Sequence, residues 1–210
     1  MKLKVCGMRE PANIYDVADS KPDYMGFIFY SKSPRFVRDL PHDLTSRLRK
    51  NDVEPVAVFV DETAESILEH VKLFGFSHVQ LHGSETPETC SFLMSKGLTI
   101  IKSILIAEPA DLQICAMYEK CCDFFLFDTK TNFHGGSGKA FDWNMLNGYK
   151  GETPFFLSGG IGPEDVASIL AFSHSRLIGI DINSRFETSP AIKDVKLVNL
   201  FKSEYIKKLQ

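Results

Sequence analysis

Long apolar runs are missing from this sequence: no stretch approaches the ~18 consecutive apolar residues of a membrane-spanning helix. The segment KLKVCGMREP near the start meets Arg9 and Glu10 too soon for the apolar core of a signal peptide, so a cytoplasmic protein is expected. A basic surplus is also missing. The 24 Lys and Arg stand against 27 Asp and Glu, a net charge of −3, which argues against a dedicated nucleic-acid binder but leaves room for a local anion pocket. Cysteine is sparse, odd in number and without paired spacing (Cys6, Cys90, Cys115, Cys121, Cys122), so no disulfide framework is expected. There is no CxxC pair and no HExxH to suggest a metal, no GxGxxG after the first apolar run, and no Walker A spacing.

What is present is a core. Apolar residues make up 44% of the chain and include 17 Phe, which excludes a disordered protein. Eight β-rich runs recur along it: 2–8, 24–30, 55–61, 77–83, 99–105, 124–130, 154–160 and 177–183. Each is apolar on both faces, the mark of strands buried in a parallel sheet. Helical spacing fills gaps between them, over 11–20, 62–74, 87–96, 109–122, 163–172 and 193–209. Strand–helix alternation of this kind predicts an α/β fold, a single-domain (β/α)8 TIM barrel over residues 1–210. An open doubly wound sheet is the rival, but it commonly has fewer strands and a Gly-rich first turn, where this chain has CGMREP.

In such a barrel the chemistry sits at the C-terminal ends of the strands. Cys6 ends the first run; it is either a small buried hydrophobe or, beside a cationic group such as Arg9 or Arg35, a thiolate base. Asp128 closes FFLFD, where burial would raise its pKa and suit it to general-acid work, unless it only caps the next turn. LSGGIGPEDV and IDINS follow the seventh and eighth runs, and those two loops form the common phosphate site of TIM barrels. Arg35, in SKSPRFV, is a fork for a carboxylate or a surface arginine. His82 is a ligand contact or a hydrogen-bonded structural residue, and Asp61 is likewise a ligand contact or only a cap for the helix starting near Glu62. FHGGSGKAFDW reads as a mobile covering loop, with Lys139 a surface charge or a substrate contact.

Taken together, KVCGMR, GFIFYSKSPRFV, VAVFVD, VQLHG, FDTKTNFHGGSGKAFDW, FLSGGIGPEDV and GIDINS resemble, in order, the phosphoribosylanthranilate isomerase family of tryptophan biosynthesis. The resemblance implies that Cys6 is the general base and Asp128 the general acid of an Amadori rearrangement. It implies that Arg35 holds the anthranilate carboxylate, and that Gly159, Gly160, Asn183 and Ser184 hold the phosphate, with Asp181 shaping the same mouth. It also implies a small-molecule substrate with no cofactor and no metal, and leaves association with other pathway enzymes open. The sequence departs from the family after IDINS, with Arg185-Phe186-Glu187 in place of a glycine, an aliphatic residue and Glu, and with Ala191 where glycine is common. Arg185 takes φ > 0 less easily than glycine, which leaves the donors of that loop open; its guanidinium offers a further phosphate contact. Three rivals weigh less. The histidine-pathway isomerase would use paired aspartates, a metal-dependent epimerase would need more His ligands than His82, and a non-catalytic phosphate-binding barrel has no use for Cys6 with Asp128.

Overall fold

The computed structural model describes residues 1–130 and 142–207. Eight parallel strands close into a barrel in sequence order: β1 (Lys2–Val5), β2 (Tyr24–Ile28), β3 (Glu54–Phe59), β4 (His78–Leu81), β5 (Thr99–Ile106), β6 (Phe124–Thr129), β7 (Phe155–Leu157) and β8 (Leu177–Ile182). Closure is made by β8 on β1, where Lys4 is paired with Asp181 and Val5 with Ile182. All eight strands fall inside the runs expected from the sequence or within one residue of them. The open-sheet rival is thereby excluded.

Side chains alternate in and out along each strand. Leu3, Val5, Met25, Phe27, Ala57, Phe59, Val79, Leu81, Phe125 and Phe127 point outward and are buried under the helices. Cys6, Tyr24, Val56, Val58, Ile101, Leu126 and Phe156 fill the barrel itself. The lower end is sealed by aromatic rings, Tyr24 standing edge-on to Phe156 at 5.4 Å. Truncating a wholly buried ring such as Phe27 would cost ~3–5 kcal/mol.

The outer layer is less regular than the sequence suggests. The helices are α1 (Pro11–Ala18), α2 (Leu44–Lys50), α3 (Ala64–Phe74), α4 (Pro87–Ser95), α5 (Cys115–Tyr118), α6 (Val166–Ala171) and α7 (Val195–Lys207). Pro11 and Pro87 open their helices, where a missing N–H costs nothing. The expected 109–122 helix is instead a 3-10 turn over Pro109–Ile114 followed by the single turn of α5. The described part of the β6–β7 connection holds only a 3-10 turn, Trp143–Gly148. Conversely, α2 was not expected: in LTSRLRK only Leu44, Thr45 and Leu48 are buried, too few contacts to show as a periodic pattern. Asp61 does not cap α3. Thr63 does, accepting from Ser66 N, while Asp61 turns to accept from Ser84 N at 2.6 Å. After β8 comes a small antiparallel hairpin, β9 (Glu187–Ser189) with β10 (Ile192–Lys193). The expected covering loop and Lys139 lie outside the described residues.

Candidate active site

The C-terminal mouth of the barrel opens into a cavity. Its floor and walls are Cys6 from the end of β1, Gln80 and His82 from β4, Asp128 from β6, Ser158 after β7 and Asp181 from β8; apolar residues of β2 and β3, Ile28, Val58 and Val60, complete one side. The ends of β1, β4, β6 and β8 contribute because the period of two brings a polar side chain inward there.

Cys6 is buried, 4% exposed. Burial pushes its thiol pKa up, while Lys4 and Lys193 pull it back. Gly26 on the neighbouring strand makes room for it, since a Cβ there would stand 2.7 Å from the sulfur. Lys4, two residues earlier on the same face, is wholly buried and donates to Asp181 Oδ1 at 2.9 Å. Burial disfavours the Lys4 ammonium, but Asp181 and Cys6 outweigh that and hold it charged. Asp181 is itself buried, which pushes its carboxyl up against the pull of Lys4.

Across the cavity, Asp128 accepts from the Thr129 amide at 2.8 Å through one oxygen. Its other oxygen lies 3.3 Å from His82 Nε2, within ion-pair range but off a good hydrogen-bond line. Ser103 Oγ and Gln80 Nε2 lie 2.7 and 2.8 Å from His82 Nδ1. Both are donors there, so the ring proton of neutral His82 sits on Nε2, facing Asp128. His82 is thus both of the things the sequence left open, a cavity residue and a hydrogen-bonded one.

The rim carries the anion-binding geometry. Gly159 and Gly160 have φ of +90° and +67°, the left-handed region that glycine adopts freely, and both line the opening. Gly159 must be glycine also because a Cβ would stand 2.8 Å from the Thr129 backbone nitrogen. Among the described residues no protein acceptor takes the amides of Gly159, Gly160 or Ser184. Asn183 and Ser184 border the same opening. Of the eight residues singled out by sequence, seven therefore meet in one cavity.

Arg35 is the exception. It does not border the cavity, and its guanidinium is held by Glu187, Nε to Oε1 at 2.8 Å and Nη2 to Oε2 at 2.6 Å. The physical reason is that a guanidinium only 8% exposed requires a counter-charge, and Glu187 on β9 supplies it. Glu187 also accepts from Lys193 Nζ at 2.6 Å, and that ammonium reaches Asn183 Oδ1 at 2.7 Å. Burial lowers the Lys193 pKa to about 8, against the pull of Glu187. Arg185 likewise offers no contact to the cavity: it pairs with Glu164. It sits in a 3-10 turn, Ser184–Phe186, and the left-handed residue of this region is Ala191, at φ +69°. Lys4, Gln80, Ser158, Glu187 and Lys193 were not singled out by sequence. Parity marks the first three as inward-facing once strand boundaries are known. Nothing local marks the last two.

Among the described residues no group of three or more His, Cys, Asp or Glu is placed to hold a metal ion, and no helix is long and apolar enough to cross a membrane.

Comparison with known proteins gives the same picture from another direction. A family model described as N-(5'phosphoribosyl)anthranilate (PRA) isomerase matches residues 3–204. The N-(5'-phosphoribosyl)anthranilate isomerase of Phocaeicola vulgatus is 47% identical over 210 residues, covering all of both chains. The phosphoribosyl anthranilate isomerase structure from Thermotoga maritima superposes with a TM-score of 0.82 at 29% identity, covering 99% of each chain. A phosphoribosyl anthranilate isomerase solved with reduced 1-(o-carboxyphenylamino)-1-deoxyribulose 5-phosphate superposes with a TM-score of 0.79 at 26% identity, again over 99% of each. With its barrel, its cavity and nearly its whole length matched, the chain belongs to the phosphoribosylanthranilate isomerase family.

Proposed function

We propose that Cys6 and Asp128 carry the family's reaction in this chain, the Amadori rearrangement of N-(5'-phosphoribosyl)anthranilate to 1-(2-carboxyphenylamino)-1-deoxyribulose 5-phosphate in tryptophan biosynthesis. The observation that carries the reading is the convergence of a thiol and a carboxyl on one cavity whose rim is the Gly159-Gly160 and Ser184 amides. Phosphate bound at that rim would place the sugar between the two groups.

Asp128 protonates the furanose ring oxygen, the C1'–O bond breaks, and a protonated Schiff base forms. Cys6 thiolate removes the C2' proton; the C–H electron pair becomes the C1'=C2' bond and the imine pair returns to nitrogen. The enolamine then gives up its hydroxyl proton, gains one at C1' and becomes the ketone. Oxidation at C2' balances reduction at C1', so an acid and a base suffice, and no cofactor is required. Arg35 takes the anthranilate carboxylate in this reading only by exchanging Glu187 for it. Asn183 and Asp181 shape the mouth, Asn183 through its link to Lys193.

We further read residues 1–210 as one cytoplasmic domain acting on a small molecule, with no role for nucleic acid or membrane. The support is β1–β8 closure, the mild net charge of −3 and the lack of a spanning helix among the described residues. The test is loss of phosphoribosylanthranilate fluorescence with purified protein, with and without chelator. Turnover indifferent to chelator is expected; a folded sample without turnover refutes the reading. Cys6→Ala and Asp128→Asn should each lower kcat by at least ~10²-fold. Near-normal kcat in either removes that residue from its role.

A further inference from the structure

Lys4 stands out among the buried groups because nothing in the reaction as written uses it. A lysine with no exposed surface inside a barrel is rare unless its charge has work to do. It lies two residues before Cys6 on one strand, so both side chains point inward on the same face, one layer apart. Its partner Asp181 is its register neighbour on β8 and borders the cavity as Cys6 does.

We propose that Lys4 is the positioning residue that makes Cys6 a base: its ammonium, anchored by Asp181 on the inward face of the strand that leads to Cys6, stabilises the thiolate that accepts the C2' proton. This rests on the assignment of Cys6 as base given above.

The charge balance supports it. The charged groups acting on Cys6 are Lys4 from its own strand, Asp181 from β8 and Lys193 from β10; Asp128 and His82, from β6 and β4, act on Asp181 from across the cavity. Burial alone would keep a thiol protonated. Only the two lysines oppose it. Lys193 already has three acceptor contacts, Asn183 O, Asn183 Oδ1 and Glu187 Oε1, and burial draws its own pKa down to about 8. Lys4 has three N–H donors and one side-chain carboxylate, Asp181. One ammonium beside two potential anions, all three buried, acts on both more strongly than it would in solvent. Arg9 and Arg35, the cationic neighbours considered for Cys6 from sequence, are engaged with Glu10 and Glu187.

The test is the pH dependence of Cys6 alkylation by iodoacetamide, read by mass spectrometry of the Cys6 peptide, in wild type, Lys4→Met, Lys4→Arg and Asp181→Asn. Lys4→Met should move the alkylation midpoint up by at least ~1 pH unit, a tenfold loss of thiolate at neutral pH. Its kcat should fall in parallel and recover as pH is raised. Lys4→Arg, which keeps the charge, should restore the midpoint. Asp181→Asn, which leaves the ammonium unshared, should move the midpoint down. A folded Lys4→Met protein with the wild-type midpoint overturns the proposal, whatever its activity. If Lys4→Met does not fold, an Asp181→Asn midpoint at or above wild type overturns it instead. Failure of the Cys6 assignment would be seen separately, as an active Cys6→Ala enzyme.

Discussion

Arg35 and Glu187, 152 residues apart in sequence, meet in a two-point ion pair of 2.8 and 2.6 Å beside the mouth of the barrel. The pair links the loop after β2 to the hairpin after β8. Through Glu187 it also reaches Lys193 and hence Asn183. The arginine expected from sequence to bind substrate is held here by Glu187, a carboxylate that pairs with two buried bases, Arg35 and Lys193. Glu187→Gln should cost about 3 kcal/mol, the scale for breaking a buried pair from one side. Urea unfolding measures this; a loss under about 1 kcal/mol would mean that the pair is effectively solvated.

The same carboxylate sets an acid limb. Burial pushes the Glu187 pKa up, but Arg35 and Lys193 outweigh it and the folded value lies below the ordinary 4.5. Its contribution to stability is therefore fully present above the unfolded value and is lost as pH falls through the folded one. Unfolding midpoints measured from pH 6 down to 3 should decline less steeply in Glu187→Gln than in wild type. Parallel curves would remove Glu187 from the acid response.

Gly26 and Cys6 give a prediction about catalysis without a change of charge. A methyl at 26 would press on the sulfur at 2.7 Å and on the Cys6 Cα at 3.2 Å. Displacing the thiol by a fraction of an ångström should reduce kcat by ~10-fold or more, since near-attack geometry is sensitive at that scale. The measurement is kcat of Gly26→Ala beside its circular dichroism. A folded variant with wild-type kcat would show that the sulfur has slack.

Gly159→Ala tests the rim. With φ at +90° and a Cβ forced to 2.3 Å from Thr129 Oγ1, the amides must turn away. KM should rise by ~10-fold or more, with kcat less affected, because a ground-state phosphate contact is being lost. Stability should fall by ~1–2 kcal/mol. An unchanged KM would place the phosphate elsewhere.

How much of this was legible in advance differs by element. The strands were legible because parallel barrel strands are apolar on both faces, so YMGFI and FFLFD are distinct without any partner in view. Helix α2 was not, because three buried residues among LTSRLRK leave no period to detect. Cys6, Asp128 and the Gly159-Gly160 turn were legible because each sits at a strand end, where this fold keeps its chemistry. Asp61 stayed ambiguous in sequence, since Asp and Thr are both good caps and only the backbone path decides that Thr63, not Asp61, caps α3.

Sequence alone determined the fold class and narrowed the candidates for reacting groups, since both are written in local pattern: strand period, turn glycines and residue type at strand ends. What only tertiary structure decided is which charges face one another. Lys4 with Asp181 and Arg35 with Glu187 are each more than 150 residues apart in the chain. Barrel closure and the β9–β10 hairpin bring them together, and among buried side chains those distances decide which groups carry charge.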